Sequence, residues 1–315
     1  MMIRKRVESL LRILVKGTFE NLKARRNRIL RTYREKPVIK DLYVSFTTYA
    51  PRVQSFEYTV LSILAGSVMP EKILIYVPQG FKKLLYAKPK AILLNHLDSG
   101  IIELIEMEED LGCHSKYYYS FKTYGNQKDI VICDDDVVYY EDWLKDLIQA
   151  TRQNPHFDIF AFKAVQVFRG DGRIEPYNNW KHLSRNFQEG ESLYAEGVGG
   201  VLFLKNRLTQ EVLNKEVFME LTPKADDVWL WFCTYFNGLN VKYVTPKNNI
   251  KLLYVIPNSQ VVNLWSDNTI LKRNDIYVAN CNIYFRDQLN FDIMPLIPLA
   301  PWSKDLKQVE QVKYL

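Results

Sequence analysis

Over the first 140 positions, short apolar runs alternate with stretches whose apolar residues recur at helical spacing. Asp41–Thr48 reads as a strand, and Val53–Leu64 as a helix carrying Phe56, Val60, Ile63 and Leu64. Lys72–Val77 predicts a second strand, Phe81–His96 a helix with a lysine-rich outer face, and Ile101–Met107 a third strand. Lys116–Tyr124 then reads as a helix and Ile130–Cys133 as a fourth strand. Such alternation predicts an α/β fold, a mainly parallel sheet flanked by helices, with ligands bound outside the carboxyl ends of the strands. Thr47-Thr48-Tyr49 and Asp134-Asp135-Asp136 both fall at that edge.

The second half is less regular. Phe157–Phe168 reads as one or two strands, and Arg169–Glu191 as a long polar loop holding Tyr177 and Trp180. A glycine-rich segment, Glu196–Gly200, precedes the apolar Val201–Leu204. Asp226-Asp227 opens a helix predicted to run to Phe236 and to stop at Asn237-Gly238. Leu252–Ile256 reads as a strand and Leu271–Leu289 as a closing helix.

A chain of 315 residues that is 47% hydrophobic buries a sizeable core. Its charge is uneven: residues 1–40 carry thirteen basic and three acidic side chains, whereas the whole chain sums to +6. Leu10, Leu11, Leu14 and Val15 interleave with Arg12 and Lys16, so the segment predicts a basic amphipathic helix. Its apolar run is far short of the ~20 residues that span a bilayer, and no small-residue cleavage site follows. The expectation is a peripheral arm on an anionic membrane surface through residues 1–36, removable without unfolding the remainder; self-packing and a nucleic-acid arm are the alternatives. The four cysteines show no paired spacing and the four histidines are scattered, which argues for a reducing compartment and against zinc or histidine-rich metal centres.

The candidate chemistry concentrates in Asp134-Asp135-Asp136, directly after the apolar Ile130–Cys133 run. Adjacent carboxylates repel and are costly to desolvate unless a cation compensates. Their oxygens are the donors that hard Mg2+ or Mn2+ prefers, and such ions keep positions open for substrate phosphates. Asp226 and Asp227, at a helix start, are candidates for a general base and equally ordinary capping residues. Gly197, Gly199 and Gly200 let backbone approach a ligand or merely shape a turn. Arg52 and Lys116 are candidates to pair with phosphate or with a carboxylate. Trp180 is a candidate platform for a sugar, whereas Trp229, Trp231 and Phe232 read as core. Neither a phosphate-binding P-loop nor a dinucleotide fingerprint occurs.

In their order, these features resemble a glycosyltransferase of the GT-A (Rossmann-like) fold over about residues 41–240. Thr47-Thr48-Tyr49-Ala50-Pro51-Arg52 resembles the first-strand segment that contacts the nucleotide, and Ser115-Lys116-Tyr117 the residues that touch the sugar nucleotide. Asp134-Asp135-Asp136 is similar to the triple-aspartate form of exostosin-like members, Gly197–Gly200 to an acceptor-side loop, and Asp226-Asp227 to the acidic pair. The resemblance implies Asp136 as principal metal ligand, Asp134 as a ligand nearer the ribose, Asp135 as bridging or as a support behind the ligands, and Asp227 in preference to Asp226 as base. Thr47, Tyr49, Arg52 and Lys116 would bind the donor; Gly197, Gly199, Gly200 and Trp180 would bind the acceptor.

No histidine follows residue 182, unlike many relatives, so diphosphate, water, Asn263 or Asp267 would complete the coordination. The implied domain plan is a 1–40 arm, a 41–140 nucleotide-binding half, a 141–295 acceptor-binding half and a 296–315 tail. The implied reaction is metal-dependent transfer from a UDP-sugar to a glycan or lipid-linked acceptor of surface polysaccharide, at the cytoplasmic face of the membrane. Two rival readings are a haloacid-dehalogenase-like phosphatase and a non-catalytic glycan-binding subunit. The first is disfavoured because three strand-helix units precede the acidic motif and no Gly-Asp pair follows Lys205.

Overall fold

The computed structural model describes residues 2–53, 55–87, 100–183, 192–245, 253–256 and 273–303. Asn263, Asp267, residues 88–96 of the predicted third helix and residues 304–315 of the tail lie outside them. Among the described residues no helix is long and apolar enough to cross a membrane.

Along the chain, helix α1 (Met2–Thr32) leads into β1 (Val38–Thr47), α2 (Phe56–Ala65), β2 (Met69–Val77), α3 (Phe81–Tyr86) and β3 (Ile102–Glu106). Then come α4 (Ser115–Tyr124), β4 (Asp129–Ile132), β5 (Val137–Tyr139), α5 (Trp143–Gln153), β6 (Ile159–Ala161) and β7 (Ala164–Gln166). Short strands β8 (Arg169–Gly170), β9 (Arg173–Ile174) and β10 (Lys181–His182) break up the predicted polar loop. The chain continues through β11 (Leu193–Ala195), β12 (Val201–Phe203), α6 (Lys215–Leu221), α7 (Asp226–Phe236), β13 (Val241–Tyr243), β14 (Leu253–Val255) and α8 (Arg273–Leu289).

Seven strands form the main sheet in the order β13-β6-β12-β4-β1-β2-β3, all parallel except β12. The α/β fold with a mainly parallel sheet flanked by helices is therefore as the sequence predicts. Strand side chains alternate between the two faces. Leu42, Val44 and Phe46 of β1 join the layer of α1, α2 and α5, while Tyr43 turns to the opposite face beside Tyr124 of α4. On that opposite face Ile130, Ile132, Val201 and Phe203 pack with Trp229 and Phe232 of α7 and Phe285 of α8.

The basic segment is not detached along its whole length. Leu22, Ile29 and Tyr33 recur at roughly helical spacing, are buried, and join the core beside α2, where Phe19 meets the Tyr58 ring at 4.6 Å. Removing residues 1–36 would therefore strip apolar cover from α2, contrary to the expectation that the rest would be untouched. Lys23, Arg25, Arg26, Arg28, Arg31 and Arg34 remain exposed on the outward side. A helix can be charged on one face and structural on the other.

Candidate active site

Three segments converge at the carboxyl edge of the sheet. Thr48–Val53 leaves β1, Cys133–Asp136 leaves β4, and Glu196–Gly200 enters β12. Because β12 runs antiparallel to β4 with Val201 opposite Ile132, the glycine turn arrives beside the aspartate triplet. Helices α4 and α7 add Lys116 and Asp226-Asp227 from their first turns.

Lys116 links the two acidic groups. Its Nζ lies 2.8 Å from Asp134 Oδ1 and 2.9 Å from Asp226 Oδ2, with the side chain only 5% exposed. Burial opposes its charge, but Asp134, Asp226 and Asp227 outweigh that penalty and raise its pKa. Arg52 neutralises the other side of the triplet: its guanidinium pairs with Asp135, and Nη2 lies 3.1 Å from Asp136 Oδ2. Burial raises the pKa of Asp135 despite Arg52. Burial, followed by the charge of Asp134, pushes the Asp136 carboxyl up to about 7.

The two acids of α7 are told apart by their partners. Asp226 faces Lys116, whereas Asp227 Oδ1 accepts a hydrogen bond from the Gly197 N–H at 3.1 Å. Burial, then the charge of Asp226, raises the Asp227 pKa well above the usual carboxylate value. His114 stacks on Phe218, with Nε2 2.6 Å from the Thr222 carbonyl and Nδ1 3.0 Å from the Tyr117 hydroxyl. Burial lowers its pKa to about 4, so it is a neutral prop that ties α4 to the turn before α7.

The glycines divide by role. A Cβ on Gly197 would sit 3.0 Å from Lys116 Nζ and 3.1 Å from Asp227 Oδ1, so this residue borders the charged cluster. A Cβ on Gly199 would strike the Lys163 backbone at 2.8 Å, and one on Gly200 would strike the Trp143 ring at 2.4 Å. Those two are glycines because protein packs against them, which removes the sequence-based reason for making them a sugar cradle. Trp180 is likewise corrected from an open platform to a packed residue. It is buried among Tyr177, Tyr194 and Trp231, and its Nε1 donates to the Glu175 carbonyl. Thr47 Oγ1 donates to the Tyr76 carbonyl, and the Tyr49 ring lies 5.6 Å from the Arg52 guanidinium carbon.

Sequence reasoning missed Tyr139 and Glu196. The Tyr139 hydroxyl accepts from the Asp134 N–H and donates to the Val198 carbonyl, joining triplet to glycine turn. Glu196 accepts from the Tyr177 hydroxyl at 3.3 Å and lies 3.4 Å from Lys163 Nζ. A carboxylate directly before a glycine-rich turn was the available signal for Glu196; nothing local marked Tyr139.

Among the described residues no three His, Cys, Asp or Glu side chains surround one point closely enough to cage a metal by themselves. The donor set nonetheless suits a hard divalent ion. Asp134, Asp135, Asp136, Asp226 and Asp227 are five carboxylates against the two cations Lys116 and Arg52. Mg2+-like ions are commonly held by one or two carboxylates together with substrate phosphates.

No family model matches this chain, and no curated protein matches it. Solved structures do. The structure of S. aureus TarS 1-349 aligns with a TM-score of 0.44 and 12% identity, over 81% of this chain and 73% of that one. A mannosyltransferase from Pyrobaculum calidifontis, PcManGT in complex with GDP-Man and Mn2+, aligns with a TM-score of 0.45 and 13% identity, over 91% of this chain and 79% of that one. At such scores the residue roles in this chain rest on its own geometry.

Proposed function

We propose that this protein is a divalent-metal-assisted glycosyltransferase of GT-A type. It moves a sugar from a nucleoside diphosphate, UDP being the first to test, to a glycan or lipid-linked glycan acceptor of surface polysaccharide. One observation carries the reading. Two acidic groups from distant segments are joined through Lys116 and the Gly197 turn at the carboxyl edge of the sheet, with more negative than positive charge. That surplus suits a cation together with a phosphate-bearing ligand.

Bound at Asp136 and Asp134, Mn2+ or Mg2+ would stabilise charge on the departing diphosphate without a proton donor. Asp227 takes the proton of the acceptor hydroxyl, held in place by the Gly197 N–H. Asp226 holds Lys116, and Lys116 holds Asp134, so the triplet and the base keep a fixed relation. The outward basic face of α1 fits an anionic cytoplasmic membrane surface, where each Lys or Arg contributes about 1 kcal/mol.

The test is calorimetric titration of UDP, GDP and CMP, with and without Mn2+, into wild type, Asp136→Asn and Asp227→Asn. Metal-dependent binding of one nucleoside diphosphate, lost in Asp136→Asn and kept in Asp227→Asn, supports the assignment. Absence of binding by folded wild type removes it and turns attention to phosphate release.

A further inference from the structure

We propose that Arg52 is a resident counter-cation: it competes with the divalent ion for Asp136 and passes to the donor diphosphate when donor binds, which makes metal and nucleotide binding depend on one another. The proposal rests on the transferase reading above. Arg52 ends the short turn Ala50–Arg52 after β1, with Pro51 inside it. Its guanidinium is shared between Asp135 and Asp136, at 3.1 Å from the latter, and its side chain is 15% exposed. Asp136 is itself buried, so a metal reaching its carboxylate meets a permanent positive charge already in place. Dication and guanidinium repel each other across that carboxylate, and with little water to screen them one of the two must give way.

The two cations of the site are not equally held. Lys116 is 5% exposed, springs from a helix and is clasped by Asp134 and Asp226. Arg52 is more exposed, sits in a short turn, and its buried Nε meets no hydrogen-bond acceptor among the described residues. A diphosphate offers the planar fork a bidentate partner that two separate aspartates do not. Arg52 is thus the group placed to move, and its departure frees Asp136 at the moment when phosphate oxygens arrive to share the metal.

Mn2+ alone, followed by loss of the free-ion paramagnetic resonance signal, is titrated into full-length wild type, Arg52→Gln and Arg52→Lys, each with and without saturating UDP. Wild type should bind Mn2+ alone weakly and bind it roughly 10-fold or more tightly with UDP, within the usual range of such couplings. Arg52→Gln should bind Mn2+ alone about 5-fold or more tightly than wild type, and UDP should sharpen its binding less. Arg52→Lys keeps the charge and loses the fork; it should fall between them, and it carries the comparison if the Gln variant does not fold. Equal or weaker Mn2+ binding by the variants without nucleotide overturns the proposal. So does wild type that binds Mn2+ as well without UDP as with it. If no protein binds Mn2+, the competition is refuted, and UDP binding then decides separately whether the transferase reading stands.

Discussion

Gly200→Ala tests the division of the glycine turn into a packing half and a site half. Gly200 has φ +85°, in the region that side-chain-bearing residues avoid, and an added Cβ would lie 2.4 Å from Trp143 Cζ2. The indole has nowhere to retreat. Trp143 is buried, stacks on Tyr139 at 4.1 Å between centroids, and donates from Nε1 to the Gly199 carbonyl at 3.0 Å. Backbone strain at such a φ costs about 1–3 kcal/mol. Overpacking a rigid core adds about 1–3 kcal/mol. Restricting the unfolded chain returns about 0.4–1 kcal/mol.

The net loss should be about 1–5.5 kcal/mol, read as a lower urea midpoint at unchanged slope. Gly197→Ala carries no left-handed penalty, and its Cβ would meet the side-chain ends of Lys116 and Asp227 at 3.0 and 3.1 Å, a milder approach than the 2.4 Å at Gly200. It should cost under about 1 kcal/mol while weakening nucleotide binding or turnover. If Gly200→Ala unfolds at the wild-type midpoint, or if Gly197→Ala loses as much stability, the division is wrong.

Three further outcomes follow. The Asp136 carboxyl, at about 7 when folded and near 4 when unfolded, keeps its proton only in the folded chain across that window, so it costs stability as pH rises through it. In EDTA, Asp136→Asn should melt above wild type at pH 8 and the gap should narrow toward pH 5; a gap independent of pH contradicts the shift. Lys116→Met leaves Asp134 and Asp226 without their shared cation and should cost about 3–5 kcal/mol in urea unfolding, partly recovered by adding Asp226→Asn; a loss under about 1 kcal/mol, or no recovery, would sink the bridging role. Ile29→Ala, on the buried side of α1, should cost about 2–4 kcal/mol while Arg26→Ala, on the exposed side, costs under about 0.5 kcal/mol; equal effects would mean that α1 does not pack as described.

The order of strands and helices was legible in the chain because apolar run length and periodicity are local properties. Ile130–Cys133 announced a buried strand, and Asp226-Asp227 announced the start of α7, which runs from Asp226 to Phe236 as expected. The placement of Thr47 and the aspartate triplet at one edge also followed from the sequence, since parallel strands present their carboxyl ends together. Partnership did not follow. Lys116 meets an aspartate eighteen residues away and another on α7, and Arg52 meets the triplet from the loop after β1; no local pattern encodes which cation faces which carboxylate. Gly197 and Gly200 look alike in sequence, yet one borders charged side chains and the other a buried indole. The basic charge of residues 1–40 likewise outweighed the sparse stripe of Leu22, Ile29 and Tyr33, whose purpose appears only once α2 lies beside it. Periodicity determines elements because it acts within one segment, whereas partners, burial and pKa shifts arise between segments and exist only after the sheet has brought them together.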